Sequence, residues 1–248
     1  MRGLLNVWAW LVAIVLMLAG LAILTVAFAI TVPFDPNRRI VGRMFRLLGV
    51  VAVKLNPLWR FDTTGASRPA RDRPFVAVSN HESYLDNFLI AHLPWEMKWM
   101  GKEELFAIPV FGWMMSLAGD IKIRRGDWTS AFEALETART WLDRGVSVAM
   151  FPEGTRSRDG TPLPFRDGAF HLAIDAGVPI LPMALTGTRS AMPADSLWFG
   201  WSRARLRVLP LVETTGMTTA DVPALRERVR TMILAARDEL DTELGAGP

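Results

Sequence analysis

No charged side chain interrupts the chain from Leu4 to Phe34. That apolar run exceeds the roughly 20 residues a helix needs to cross a bilayer. A soluble core helix is seldom apolar on every side for so long. The run is also too long for the apolar centre of a signal peptide, and no small-residue cleavage site precedes its charged flank. It is expected to be a retained membrane element, spanning the bilayer or lying in one leaflet. The pattern then turns amphipathic. Over residues 37–56, NRRIVGRMFRLLGVVAVKLN, Arg39, Arg43, Arg46 and Lys54 fall on one stripe at helical spacing. Ile40, Val41, Met44, Phe45, Leu47, Leu48, Val51 and Val53 fill the rest. Two placements fit this helix. It can lie at the membrane interface with its arginines reaching headgroup phosphates, or it can pack on the domain that follows. The cluster Arg38, Arg39, Arg43 and Arg46 predicts a cytoplasmic flank, and so a domain facing the cytoplasm from the inner membrane.

From about residue 59 short β-prone runs alternate with helical ones. Strands are predicted at Phe75–Ser79, Lys98–Gly101, Ile121–Arg124, Ser147–Phe151, Ile180–Leu185 and Arg205–Leu209. Helices are predicted at Asp86–Leu93, Pro109–Leu117, Trp128–Arg144, Gly168–Ala176 and Val222–Thr242. The third of these helices puts Trp128, Phe132, Leu135, Ala138 and Leu142 on one face and stops at Gly145. The last turns Leu225, Val229, Ile233, Ala236 and Leu240 inward. Alternating strands and helices predict an α/β domain, a mostly parallel central sheet flanked by helices. The organisation expected is a membrane anchor and amphipathic helix over 1–57, then one domain over 58–248.

Composition narrows the chemistry. The chain has no cysteine, so disulfides, thiolate metal sites and a cysteine nucleophile are excluded. Its net charge of +3 fits an anionic membrane or a phosphorylated substrate as well as nucleic acid. The basic residues cluster at the membrane flank and in a few loops, which argues against nucleic acid. Ten tryptophans stand against one tyrosine, several near apolar runs where an interfacial role fits. There is no G-x-S-x-G, no Walker A loop and no H-E-x-x-H, and three scattered histidines offer no metal-ligand spacing.

Four stretches remain. In SNHESYLDN, residues 79–87, His81 follows a predicted strand directly, at the carboxyl end where open α/β sheets bind ligands. In one regular helix, residues five apart point about 140° away from each other. His81 meets Asp86 only if His81 lies in the turn before the helix. The ring could then donate to the carboxylate and take a proton from a substrate hydroxyl; a capped turn with a solvated histidine fits the same residues. In FPEGTRSRDG, residues 151–160, Glu153 and Gly154 make a turn at a strand end, and Thr155, Arg156, Ser157 and Arg158 are anion-binding types. A polar surface loop has the same composition. In GDIKIRRGD, residues 119–127, alternation puts Lys122 and Arg124 on one side and Arg125 with Ile121 and Ile123 on the other. In GVPILPMAL, residues 177–185, two prolines flank an apolar strand and suit a stiff wall.

Together these stretches resemble the glycerophospholipid acyltransferase family, in its bacterial 1-acyl-glycerol-3-phosphate branch. Its N-H-x-x-x-x-D motif is matched by Asn80, His81 and Asp86, and its second motif by Gly119 to Arg125. F-P-E-G-T-R is matched by Phe151 to Arg156, and V-P-I-x-P by Val178, Pro179, Ile180 and Pro182. Segments 102–115 and 165–180 also fit in order and spacing, so the resemblance covers roughly residues 75 to 190. It implies a glycerol-3-phosphate acyltransferase-like fold with an N-terminal membrane-embedded helical element. His81 is then the general base and Asp86 its partner. An acyl group passes from acyl-CoA or acyl carrier protein to the sn-2 hydroxyl of lysophosphatidic acid, giving phosphatidic acid without an acyl-enzyme, a metal or a cofactor. Arg125, Glu153, Gly154, Thr155, Arg156 and Lys102 would hold the acceptor's glycerol phosphate. Val178, Pro179, Ile180 and Pro182 would form an acyl-donor or pocket wall.

Two positions depart from the family. Lys122 replaces an apolar or aromatic residue, and Arg124 a small acid or amide. The added charge strengthens phosphate binding or marks another lysolipid acceptor, such as lyso-ornithine lipid. A non-catalytic membrane lipid-binding protein is the alternative from a different class.

Overall fold

A computed structural model describes residues 2–65, 73–157, 160–192, 196 and 198–245. Two helices open the chain, α1 (Arg2–Thr31) and α2 (Arg39–Leu55). Strands β1 (Trp59–Gly65), β2 (Val76–Ser79), β3 (Met97–Lys102), β4 (Ile121–Ile123), β5 (Ser147–Met150), β6 (Ile180–Thr186) and β7 (Ser202–Val208) build one sheet in the order β1-β7-β6-β2-β5-β3-β4. β2 to β6 run parallel; β7 is antiparallel to β6, and β1 is parallel to β7. The connecting helices are α3 (Asp86–Ile90), α4 (Glu103–Phe106), α5 (Phe111–Ala118), α6 (Trp128–Asp143), α7 (Gly168–Ala176), α8 (Thr188–Ala191) and α9 (Val222–Leu244).

The sheet is covered on both faces, as a parallel sheet must be. On one face Ala134, Ala138 and Leu142 of α6, Phe170 and Ala173 of α7, and Leu225, Val229, Ile233 and Leu240 of α9 meet Val76, Val148 and Ile180. On the other, Leu85, Leu89 and Ile90 around α3 and Val53 of α2 meet Ala77, Ala149, Leu181 and Leu206. Five parallel strands end at one edge, so the loops after β2, β3, β4, β5 and β6 converge there.

α1 contains a span of 29 residues with mean hydropathy 2.9, long and apolar enough to cross a membrane. Leu24 packs with Val41 of α2 and Met114 of α5. Leu4, Val7, Leu11, Val15, Leu18, Val26 and Ile30 face outward.

Three arginines of the basic stripe of α2, Arg39, Arg43 and Arg46, face the domain, while Lys54 is exposed. Arg46 pairs with Asp120, the two side chains 2% and 0% exposed, and donates to the Met97 carbonyl at 3.3 Å. Arg43 donates to the carbonyls of Ala91 and Leu93 at 3.3 and 2.6 Å, and Arg39 to that of Gly145 at 2.8 Å. Ile40, Leu47, Val51 and Leu55 point outward instead. Carbonyls at element ends need donors when covered, and a guanidinium supplies five. Of the two placements open to this helix, it packs on the domain by its polar stripe and presents its apolar side. Lys98 completes the joint, fully buried, donating to the carbonyls of Arg38 and Ala118 and to Glu96 at 3.0, 2.8 and 3.2 Å.

The expected face of α6 packs inward at Leu135, Ala138 and Leu142 but not in its first turns. Ala134, Ala138 and Leu142 are buried, while Trp128 and Phe132 are exposed. The alanines let the helix lie close to the sheet, and the two bulky rings sit on its first turns, beside the strand edge. β1 has no counterpart among the predicted strands. Its burial alternates only from Trp59 to Phe61, after which every position is exposed, so the period-2 signal is too short to read.

Candidate active site

His81 lies in the turn between β2 and α3, and Asp86 is the first residue of α3. The turn lets positions five apart meet: His81 Nδ1 is 2.7 Å from Asp86 Oδ2. Asp86 is fully buried and accepts further bonds from the backbone N–H groups of Glu82 and Ser83, at 2.7 and 3.0 Å. Thr188, at the start of α8, donates its hydroxyl to Oδ1. A carboxylate only accepts, so the His81 proton sits on Nδ1. Nε2 then has a free lone pair and no protein hydrogen bond among the described residues. The imidazole stacks on Phe151, centroids 3.9 Å apart and planes 12° from parallel.

The His81 backbone is pinned as firmly as its ring. Its N–H donates to Glu153 Oε1 at 3.3 Å, and its carbonyl accepts from the Ser157 N–H at 3.0 Å. Asn80 makes two bonds to Leu185 of β6, side-chain N to carbonyl at 2.8 Å and backbone N–H to side-chain O at 3.0 Å. The histidine therefore stands on a junction of β2, β5 and β6.

Glu153 lines a small recess together with His81. It is 4% exposed and sits beneath His81. Burial pushes its carboxyl up to about 7, with Asp86 adding to the rise and backbone hydrogen bonds from His81 and Leu163 opposing it. Glu82 lines the same small recess, beside Arg237 of α9. Burial, then the neighbouring Asp86, pushes Glu82 up to about 8.

The cationic part lies along the same edge toward β4. Arg156 stacks on the Tyr84 ring, 3.8 Å from its centroid. Arg125 follows β4; desolvation, with Arg156 and Arg166 as neighbouring positive charges, holds it below the usual guanidinium range, against Tyr84 and Glu104. Arg166 crosses Gly154, where φ is +70° and an added Cβ would lie 2.8 Å from its Nε. Gly154 is thus needed both for its left-handed turn and for the close passage of this arginine. Thr155 is exposed at the tip of the turn. Arg125, Arg156 and Arg166 thus lie close enough to feel one another's charge, and guanidinium groups are of the type that binds anions. Arg158 lies outside the described residues.

The remaining candidate residues lie at this edge and in the core. Lys102 ends β3 at this edge, but its ammonium pairs with Glu104 at 2.7 Å. Val178, Pro179, Ile180 and Pro182 are buried, and Ile180 and Pro182 register with Val76 and Val78 of β2. They lie at the start of β6, on the core side of the sheet and away from its catalytic edge. There they fix the register that brings Leu185 to Asn80 and Thr188 to Asp86. Arg124 binds Glu103 and Asp127, and Lys122 is exposed.

Sequence reading missed Thr188, Arg166, Glu82 and Arg237. A Gly-Thr pair at the carboxyl end of a strand parallel to β2 was a usable signal for Thr188. Arg166 stands within the 165–180 segment that already fitted the family. Nothing in the sequence marks Arg237, which arrives from α9.

A family model described as Acyltransferase matches residues 60–186. The chain is 39% identical over 188 residues to the human 1-acyl-sn-glycerol-3-phosphate acyltransferase alpha, covering 74% of this chain and 66% of that protein. It is 40% identical to the mouse alpha protein, covering 76% and 67%. It is 40% identical to a chloroplastic 1-acyl-sn-glycerol-3-phosphate acyltransferase of Brassica napus, covering 58% of this chain and 42% of that protein; the match spans less than half of that plant relative. The crystal structure of the 1-acyl-sn-glycerophosphate acyltransferase of Thermotoga maritima is similar with a TM-score of 0.82 and 26% identity, covering 97% of this chain and 96% of that one.

Proposed function

The chain belongs to the acyltransferase family, and from that premise we propose that it acylates lysophosphatidic acid at the sn-2 hydroxyl to give phosphatidic acid. The acyl donor is a thioester, on coenzyme A or acyl carrier protein. The acceptor hydroxyl passes its proton to Nε2 of His81 as its oxygen attacks the thioester carbonyl carbon. Asp86 holds the imidazolium through Nδ1 and keeps the ring oriented. The tetrahedral intermediate collapses, the C–S bond breaks, and the leaving thiolate takes the proton back from Nε2. The products are an ester and a free thiol. No acyl-enzyme forms, since the attacking oxygen belongs to the acceptor. Arg125, Arg156 and Arg166 bind the acceptor phosphate.

The observation that carries the reading is the 2.7 Å His81–Asp86 bond on the same sheet edge as the three arginines. The relatives named above take their names from the same acceptor. The apolar α1 and the outward apolar side of α2 would seat residues 1–57 in the inner membrane, with the domain of residues 58–248 on the cytoplasmic side. Lyso-ornithine lipid finds less support as acceptor, because Arg124 is committed to Glu103 and Asp127 and adds no free charge to the phosphate site. An acceptor panel tests this: lysophosphatidic acid, lyso-ornithine lipid and lysophosphatidylcholine, each with an acyl-CoA and an acyl-carrier-protein donor. Lysophosphatidic acid should give the highest kcat/KM. A higher value with either other acceptor overturns the assignment.

A further inference from the structure

Arg203, Arg205 and Arg207 alternate along β7 on the face of the sheet that α9 covers. Arg207 pairs with Glu239 and Glu243, and Arg205 with Glu243. Arg203, beyond the last of these glutamates, has no ion pair or hydrogen bond among the described residues. Its registered neighbour on β1 is Arg60, also exposed and also without a partner among them. Like charges directly opposite on neighbouring strands repel. Asp62, the next outward position of β1, stands opposite Arg205 instead. The two arginines line a cleft of about 600 Å³ with Leu58, Trp201 and Ser202.

The segment that leads into this cleft is fastened to α1. Asn6 donates from its side chain to the Phe199 carbonyl at 3.2 Å and accepts from the Phe199 N–H at 2.6 Å. Trp10 packs on the Phe199 ring, centroids 5.1 Å apart. Flanking that residue, Trp198 and Trp201 are 61% and 56% exposed, and exposed tryptophans beside an apolar helix suit the headgroup zone of a bilayer. The cleft also borders the dyad's support. Ser202 donates to the Gly187 carbonyl at 2.8 Å, and the next residue, Thr188, holds Asp86.

We propose that Arg60 and Arg203 bind the phosphate of an anionic glycerophospholipid of the surrounding bilayer, with Trp201 against its headgroup. A phosphate offsets the repulsion of the pair and offers a bidentate partner to each guanidinium. The bound lipid holds the β1–β7 edge at the membrane beside α1. The assignment uses α1 as a bilayer element and does not depend on acyl transfer.

Native mass spectrometry of the full chain in detergent micelles, titrated with short-chain phosphatidylglycerol, tests it. This lipid is neither substrate nor product of the proposed reaction. Wild type should bind it about tenfold or more tightly than the Arg60→Gln/Arg203→Gln variant. Phosphatidylcholine of the same chain length should bind wild type about as weakly as the variant binds phosphatidylglycerol. Arg156→Ala should retain the lipid, so loss of acyl transfer and loss of this site are told apart. Equal binding by wild type and the double variant overturns the proposal. So does equal binding of the two lipids, or displacement of the lipid by equimolar inorganic phosphate.

Discussion

Thr188 donates its hydroxyl to Oδ1 of Asp86, leaving Oδ2 to the His81 ring and two backbone N–H groups. The carboxylate is thus fixed from α8, which follows β6, as well as from the turn that precedes its own helix. Replacing Thr188 by valine keeps the volume and removes one bond, worth about 1–1.5 kcal/mol. We expect kcat to fall about tenfold with the acceptor KM little changed, and Thr188→Ser to restore it. Steady-state kinetics check this; a change confined to KM would remove Thr188 from the support of the dyad.

Arg166 is the phosphate-site candidate that motif matching passed over. Its side chain runs across Gly154 and adds its field to that of Arg125. Arg166→Gln should raise the acceptor KM by about tenfold, the effect of losing one charge-assisted contact, and leave the donor KM unchanged. An unchanged acceptor KM would make it a surface residue.

The orientation of α2 has a large energetic signature. Arg46→Ala leaves Asp120 buried beside Glu96 without its main partner. Removing one member of a buried pair costs about 3–5 kcal/mol, so the melting temperature in detergent should drop sharply. Arg46→Met/Asp120→Asn strands no charge and should melt higher than Arg46→Ala. An Arg46→Ala protein that melts like wild type would place this arginine at the membrane interface.

The Glu153 carboxyl rises on folding from 4.5 to about 7. Its folded pKa exceeds its unfolded one, so its contribution to stability is full below about pH 4.5 and is lost as pH rises through about 7. Glu153→Gln stays neutral throughout. Relative to wild type, the variant should therefore gain about 1–3 kcal/mol between about pH 5 and pH 8. Unfolding at both pH values checks it; parallel stabilities would mean that Glu153 is charged throughout.

The α/β architecture was readable because the buried strands are short apolar runs between amphipathic helices. All five positions predicted to face inward from α9 are buried, as Leu225, Val229, Ile233, Ala236 and Leu240 recur at one period; Val222, at the helix start, is buried as well. β1 escaped because an edge strand with Asp62, Thr63 and Thr64 exposed has little alternation. The spacing of His81 and Asp86 was legible only on condition of a turn, and that turn is present. Arg43 and Arg46 left two placements open because an apolar helix with a basic stripe has the same sequence in lipid and against a protein. What decides is the partner carbonyls and Asp120, which come from distant elements. Thr188 and Arg237 meet the dyad's surroundings only through tertiary packing, more than 100 residues from His81 in the chain.

The central claim is that His81 takes the proton of a lysolipid hydroxyl. The most direct test is acyl transfer from an oleoyl thioester to lysophosphatidic acid by purified wild type and His81→Ala, both verified as folded by their melting temperature. Loss of the base should lower kcat by about a hundredfold or more. A folded His81→Ala protein that transfers acyl groups at the wild-type rate would contradict the account.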